Sequence, residues 1–447
     1  MEWLFKINKV ANNFVWGPPM LVLLVGTGIF LTFYLGFPQI KKFGYIMKNT
    51  LFKVFSRTTT GEGEITPFQA VSTALASTVG TGNIAGVATA IFLGGPGAIF
   101  WMWVSAFFGM ITKYSEICLS LNYRVKNPDG SFSGGPMYYL SKGLNIKWLA
   151  VLFSIFGALA TFGIGNMVQA NSTAEALQAG FGIPKLTTGI ILAVLTGLVI
   201  LGGIKRIGQV TEYLVPFMSV LYIIGSLVII FQNIGAVPQA FALIFKDAFK
   251  PTAALGGFAG STILMSMKYG VARGVFSNEA GLGSAPVAHA AATVDHPVQQ
   301  AMYGVFEVFV DTIVICTMTA LVIMTTGVWN CGKTGAELSM YAFETGLPGT
   351  WGKLILTVGL ALFAYSTIVG WSYYGEKYIE FLFGPKAKLP YRIIFLPFIV
   401  VGAVGGLSEL WDLADTLNGL MAIPNLIGIL LLSGVVRRLT KEYFESH

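Results

Sequence analysis

Charge is what this sequence has least of. Asp, Glu, Lys and Arg make up 11% of its 447 residues while 54% are hydrophobic, with a mean hydropathy of +0.70. Soluble domains carry roughly 25% charged residues. So few charges cannot cover a water-facing surface of this size, so the solvent is lipid and a soluble globular fold is excluded. Cysteine is nearly absent too. Cys118, Cys316 and Cys331 show neither disulfide nor metal-ligand spacing. The three histidines, His289, His296 and His447, are not spaced to share a metal, and no paired mid-span aspartates stand out. An intramembrane hydrolase, which needs such pairs or a Ser–Lys or Ser–His couple, is thereby disfavoured, so the expectation is not an enzyme. The N-terminal stretch MEWLFKINKVANNFVW lacks a basic region followed by an apolar core. It reads as an amphipathic surface helix rather than a cleavable signal. A net charge of +7 implies no nucleic-acid partner; its placement carries the information.

Long apolar runs are what the chain has instead. Runs of about twenty residues fall near 17–37, 66–93, 97–121, 148–170, 186–203, 210–232, 254–291, 299–327, 350–382, 391–408 and 412–435. The expectation is an all-α integral membrane protein of about eleven transmembrane helices. Thr66-Pro67 supplies an N-cap hydroxyl followed by proline at the first helical position. Alternate connections are basic, and hold eighteen of the 28 Lys and Arg residues. They include Lys41, Lys42, Lys48, Lys53 and Arg57, the segment from Arg124 to Lys147, Lys205-Arg206, the segment from Lys377 to Arg392, and Arg437, Arg438 and Lys441 in the tail. The positive-inside rule then puts the N-terminus outside and the C-terminus in the cytoplasm, with the cell membrane as the expected location.

Two of these runs are interrupted. Ser77-Thr78-Val79-Gly80-Thr81-Gly82-Asn83 lies in the middle of 67–93, and Phe276 to Pro286 breaks 254–291 around Gly281-Leu282-Gly283. Backbone groups freed at bilayer depth persist only where they line a cavity or are buried in protein. Five helices separate the two breaks, so the second copy runs opposite to the first. Paired interruptions in inverted halves point to a transporter's binding site, although glycines also mediate close helix packing. The expected organisation is residues 1–62 as surface segment and extra helix, 63–232 as a first five-helix repeat, and 252–437 as its inverted copy. Amides at Thr81 and Gly82, at the start of the second half-helix, suit a carboxylate. Carbonyls of Ala76, Thr78 and Val79 suit an ammonium group or a sodium ion.

The segments Gly94 to Gly109 (GGPGAIFWMWVSAFFG) and Arg273 to Pro286 (RGVFSNEAGLGSAP) resemble the two hallmarks of the alanine-or-glycine:cation symporter family. The resemblance implies sodium- or proton-driven uptake of alanine or glycine on a LeuT-type 5+5 inverted repeat with one additional N-terminal helix. Val79-Gly80-Thr81-Gly82-Asn83 is also similar to the first-helix break of the bacterial leucine transporter. By that match the substrate residues are Thr78, Thr81, Gly82 and Asn83, with Phe276 as a wall and Ser277 offering oxygens to the amine. The sodium ligands are the carbonyls of Ala76, Val79 and Phe363 and the hydroxyls of Ser366 and Thr367. Trp371 would fill space otherwise open to a substrate side chain. A second sodium near Asn83 is implied, with its other ligands unassigned.

Other readings stay open at this point. Ser366 and Thr367 can bond back to carbonyls one turn earlier, Trp371 can be ordinary packing, and Asn166 and Gln169 either face the pocket or bond a neighbouring helix. Lys268, Arg273 and Glu279 are in-span charges expected to pair or to face an aqueous vestibule. Lys113 and Glu116 read as a local pair. Channels repeat pore loops or charge rings, which this chain lacks. The reading is a sodium-coupled symporter for small neutral amino acids, with Na+ as coupling ion and no other cofactor. A proton-coupled carrier is the alternative, with Glu279 as its titratable group. Its partners are alanine or glycine, sodium and the lipid bilayer, with no obligate protein partner.

Overall fold

In a computed structural model, residues 2–53, 60–250, 262–405 and 408–446 are described, with side chains of 2–5 and 408–411 left out. Arg57, residues 254–261 of the long apolar run and residues 406 and 407 therefore lie outside the described residues. The helices are α1 (Glu2–Val15), α2 (Pro18–Leu35), α3 (Pro67–Thr78), α4 (Gly82–Gly94), α5 (Gly97–Asn122), α6 (Lys147–Phe181), α7 (Lys185–Ile200) and α8 (Gly203–Gln232). They continue with α9 (Val237–Phe249), α10 (Ile263–Asn278), α11 (Pro297–Thr325), α12 (Gly335–Gly346), α13 (Trp351–Phe383), α14 (Lys388–Val404), α15 (Ser408–Leu431) and α16 (Ser433–Ser446). One short hairpin, β1 (Val125–Lys126) and β2 (Phe132–Ser133), follows α5.

Among the described residues, seven helices are long and apolar enough to cross a membrane, and α3 with α4 forms an eighth span bent by 50°. The helices α5, α7 and α10 fall on the remaining expected runs. Helix α5 carries two charges within its apolar run, Lys113 and Glu116, both fully buried. The molecule is apolar on the outside. On α8 the exposed side chains Tyr213, Phe217, Val220, Ile224, Val228 and Phe231 recur every three or four residues, which is one helical face turned to lipid. The opposite face of α8 packs on α3 and α13.

Helix α3 starts where its sequence signals it. The Thr66 hydroxyl accepts from Gln69 N–H, Gln69 reciprocates to Thr66 N–H, and Pro67 opens the helix. The segment leading into α3 is bridged to the segment that follows the second break. Glu62 bridges Val294, and Ile65 bridges Ala292. Arg124 clamps this junction through the carbonyls of Glu62, Ala290 and Ala292 at 2.7–3.0 Å. The two interrupted helices are thus tied together at one end and wedged between α5, α11 and α13 along their length.

Candidate functional site

The first break is short. Helix α3 ends at Thr78, Val79 is extended, and the chain re-enters a helix at Gly82 through a π-helical turn, Gly82–Gly86. Asn83 stitches this turn: its Oδ1 accepts from Gly80 N–H at 2.8 Å. Its Nδ2 donates to Asp311 Oδ1 at 2.7 Å. Gly80 has no room for a side chain, since a Cβ there would sit 2.4 Å from Thr367 Oγ1. The second break is longer. Helix α10 ends at Asn278, and Glu279, Gly281 and Gly283 all take positive φ before the short helix Pro286–His289.

Between the breaks lies a tight cavity of about 10 Å³, lined by Thr78, Thr81, Gly82, Gln169, Phe276 and Trp371 of the expected substrate set. Ser77, Gly80, Ile164, Glu279, Thr367 and Asn418 complete it. That volume holds roughly one water, so any larger occupant needs the walls to move apart. The first N–H groups of a helix have no intrahelical partner, and Thr81 and Gly82, where α4 begins, both line this cavity. Trp371 is 1% exposed, and its indole N–H donates to Glu279 Oε1 at 2.8 Å. Gly165 makes room for it, because a Cβ there would lie 2.4 Å from Trp371 Cβ. Phe276 lines this cavity and also a second one of about 220 Å³ that Lys268, Arg273, Trp16 and Asp415 border. Phe276 thus borders both the tight site and a second cavity, where the expected in-span charges Lys268 and Arg273 sit.

Ser366 and Thr367 lie beside the cavity. Ser366 Oγ is 2.8 Å from Phe363 O, 3.1 Å from Ala76 O and 3.5 Å from Val79 O. Thr367 Oγ1 donates to Phe363 O at 2.9 Å. The back-bonding alternative is therefore present, and the hydroxyl of Ser366 also reaches across to α3. One hydroxyl proton serves one carbonyl at a time, so three carbonyls and two hydroxyls converge with lone pairs to spare. Such an all-oxygen nest suits a hard cation.

Not every expected residue reaches the cavity wall. Asn166 donates to Phe395 O at 2.8 Å and so bonds α14. Gln169 donates to Ile164 O at 3.1 Å, while its Oε1 is buried without a partner. Ser277 and Asn83 turn instead to Asp311, Ser277 Oγ lying 2.9 Å from Oδ2. The Lys113–Glu116 pair is corrected. Lys113 reaches Glu307 Oε1 at 2.5 Å and Asn278 O at 2.6 Å, while Glu116 accepts from Asn425 at 2.5 Å. Residues 113 and 116 share a helical face, but each finds its partner on another helix.

Three buried groups were missed by reading residues alone. Glu307 binds Lys113 and, through Oε2, His289 Nε2 at 3.1 Å. Gln300 Nε2 lies 2.8 Å from His289 Nδ1. Asp311 gathers Asn83, Ser277 and Thr312 around its carboxylate. Glu279 is therefore not the sole acidic group at this depth. The available signal was Glu307 and Asp311 four residues apart inside the apolar run 299–327.

Comparison with known proteins identifies the family. The profile of the sodium:alanine symporter family matches residues 1–447. The chain is 54% identical over its whole length to the sodium/alanine symporter AgcS of Methanococcus maripaludis, covering 98% of that protein. It is 42% identical to the probable sodium/glutamine symporter GlnT of Bacillus subtilis, covering 98% of this chain and 90% of that one. The crystal structure of MhsT in complex with L-phenylalanine superposes with a TM-score of 0.57 at 12% identity, over 85% of this chain and 98% of that one. The likeness to MhsT shows a shared fold, the LeuT-type inverted repeat, here with an additional N-terminal helix. These findings make the chain a transporter and not an enzyme: it belongs to the sodium:alanine symporter family and is a multi-pass membrane symporter.

Proposed function

We propose that this symporter takes up small neutral amino acids, alanine and glycine, using an inward sodium gradient across the cell membrane. The observation that carries the reading is the meeting of the Ala76, Val79 and Phe363 carbonyls with the Ser366 and Thr367 hydroxyls beside the first break. Sodium at that nest would hold α3 against α13. The amino acid carboxylate would sit on the amides of Thr81 and Gly82, its ammonium facing the Thr78 carbonyl, with Phe276 and Trp371 closing on a side chain no larger than methyl. Gln169 Oε1, unpartnered and at the cavity, offers the ammonium a further acceptor. Ser277 and Asn83 join the site indirectly, through Asp311, and Asn166 supports it from α6 through its bond to Phe395 of α14.

A second sodium belongs beside Asp311. This carboxylate is fully buried and forms no ion pair among the described residues. An unpaired charge at that depth is costly, and the hydroxyl oxygens of Ser277 and Thr312, both on this carboxylate, would join a cation's shell. Sodium that tightens alanine must be tightened by it in turn. Transport then follows by alternating access, residues 63–232 and 252–437 forming the two inverted repeats and their broken helices moving against the rest. The basic connections keep the N-terminus outside and the C-terminus in the cytoplasm.

The test is labelled-alanine uptake into proteoliposomes under an inward sodium gradient. Replacing sodium with choline is expected to reduce uptake to background. Undiminished uptake in choline, driven by a pH gradient, would overturn sodium coupling in favour of the proton-coupled alternative.

A further inference from the structure

Where α2 and α15 end, a cleft of about 350 Å³ opens beside α16. Four cations border it, Lys41, Lys42, Arg437 and Lys441, together with the apolar side chains of Leu35 and Phe444. Its one carboxylate, Glu445, is 3.5 Å from Lys441. Lys41, Lys42 and Arg437 form no ion pair among the described residues. The contrast with the other basic cavity is instructive. There, in a space of about 520 Å³, three of four cations are committed to carboxylates, Lys377 to Glu380, Lys388 to Asp129 and Glu380, and Arg392 to Glu376, while Lys205 forms no ion pair among the described residues. The cleft at α16 keeps its positive charge unspent.

The cleft is also prebuilt. Thr440 is tied to Tyr114 at 2.9 Å and Tyr443 to Tyr45 at 3.3 Å, which hold α16 against the helical body. Lys42 Nζ lies 4.9 Å over the Phe444 ring, and the Arg437 guanidinium lies 4.8 Å over Tyr34. Both cations are thus oriented before anything binds. Its depth is set by the spans. Both α2 and α15 include membrane-length apolar stretches that end at Leu35 and Leu431. Arg437 is six residues further on, at most about 9 Å along a helix. That is the level of the headgroup layer, which adds about 5–8 Å to each side of the hydrocarbon.

We propose that this cleft seats the headgroup of an anionic phospholipid, its phosphodiester among Lys41, Lys42 and Arg437 and its glycerol end against Leu35 and Phe444. Basic pockets at the ends of membrane helices have this chemistry. The apolar flank distinguishes a lipid from a free phosphate ion. Occupancy would fasten α16 to α2, and so brace α5 through the Thr440–Tyr114 bond.

The experiment is native mass spectrometry of the full chain in detergent with phosphatidylglycerol or phosphatidylcholine added at equal concentration. The wild type is expected to retain phosphatidylglycerol at least tenfold better. Each charge contributes about fivefold, so the K41Q/K42Q/R437Q variant is expected to lose that preference by at least tenfold. The control Lys205→Gln and the charge-retaining K41R/K42R/R437K variant are expected to keep it. Should the triple glutamine variant not fold, Arg437→Gln alone is expected to lower the preference about fivefold. An unchanged preference in the glutamine variants would overturn the proposal. Displacement of the lipid by millimolar inorganic phosphate would overturn it as well, assigning the cleft to a free ion.

Discussion

The two interrupted helices carry the same Gly-x-Gly signal, yet the protein supports them differently. The first break stitches itself, Asn83 satisfying Gly80 within its own turn, and its carbonyls meet the hydroxyls of α13. The second break has internal bonds too, Ala280 N–H donating to Asn278 Oδ1 at 3.0 Å, but more of its support comes from other helices. Lys113 of α5 reaches Asn278 O, Asn425 of α15 donates to Gly281 O at 2.9 Å, and Glu279 accepts from Trp371 and Ser284. Inverted repeats therefore share a backbone device but not its upkeep. The first break is anchored to α11 and meets the hydroxyls of α13, whereas the second is tied to α5, α13 and α15.

The largest way to test this contrast is to remove the pin. Lys113→Met leaves Glu307 charged, buried and without its ammonium, a change that typically costs about 3–5 kcal/mol. Thermal unfolding is expected to show a strong loss, with much of it recovered in the K113M/E307M double variant. A loss without recovery would mean that Lys113 acts through Asn278 alone. Next, glycine-to-alanine changes at the two breaks are expected to part ways. Gly281→Ala places a side chain at φ +93° and 2.7 Å from Leu24, a strain of roughly 1–3 kcal/mol that shows as lost stability. Gly80→Ala drives a methyl into Thr367 Oγ1, and sodium-driven uptake is expected to fall at least tenfold with the protein still folded. Equal stability losses at both positions would erase the distinction.

Smaller effects sharpen the ion's side of the comparison. Ser366→Ala removes one oxygen from the nest and is expected to raise the sodium concentration for half-maximal uptake about tenfold, equivalent to about 1.4 kcal/mol. An unchanged sodium dependence would leave Ser366 as a helix-bonding hydroxyl. Trp371→Ala is expected to have the mildest effect on alanine uptake and to admit valine or leucine. Each added methylene is worth about 1–3 kcal/mol in such pockets, so relieving the clash is measurable by competition. Continued exclusion of both with alanine unaffected would remove Trp371 from the pocket wall.

Much of this was legible residue by residue. The break at Gly80-Thr81-Gly82, the N-cap at Thr66-Pro67 and the Ser366-Thr367 pair all depend on local chemistry, and local chemistry is written in short windows. Asn166 and the Lys113–Glu116 pair were not legible in this way. An amide in an apolar run shows that it needs a partner but not which helix supplies it, and α14 rather than the cavity takes Asn166. Likewise Lys113 and Glu116 are neighbours on α5, yet Glu307 and Asn425, nearly 200 residues or more away, complete them.

Composition and hydropathy alone determined that lipid is the solvent, and the paired Gly-rich interruptions alone determined where backbone is exposed at depth. Both follow from costs each segment bears by itself, the burial of apolar surface and the satisfaction of peptide groups. Only the tertiary structure decided that Lys113, His289, Glu307 and Asp311 gather around the breaks, and that Ser366 reaches the carbonyls of α3. Pairing of buried charges is a property of two or more helices brought within about 3 Å, and no single stretch of sequence contains that distance.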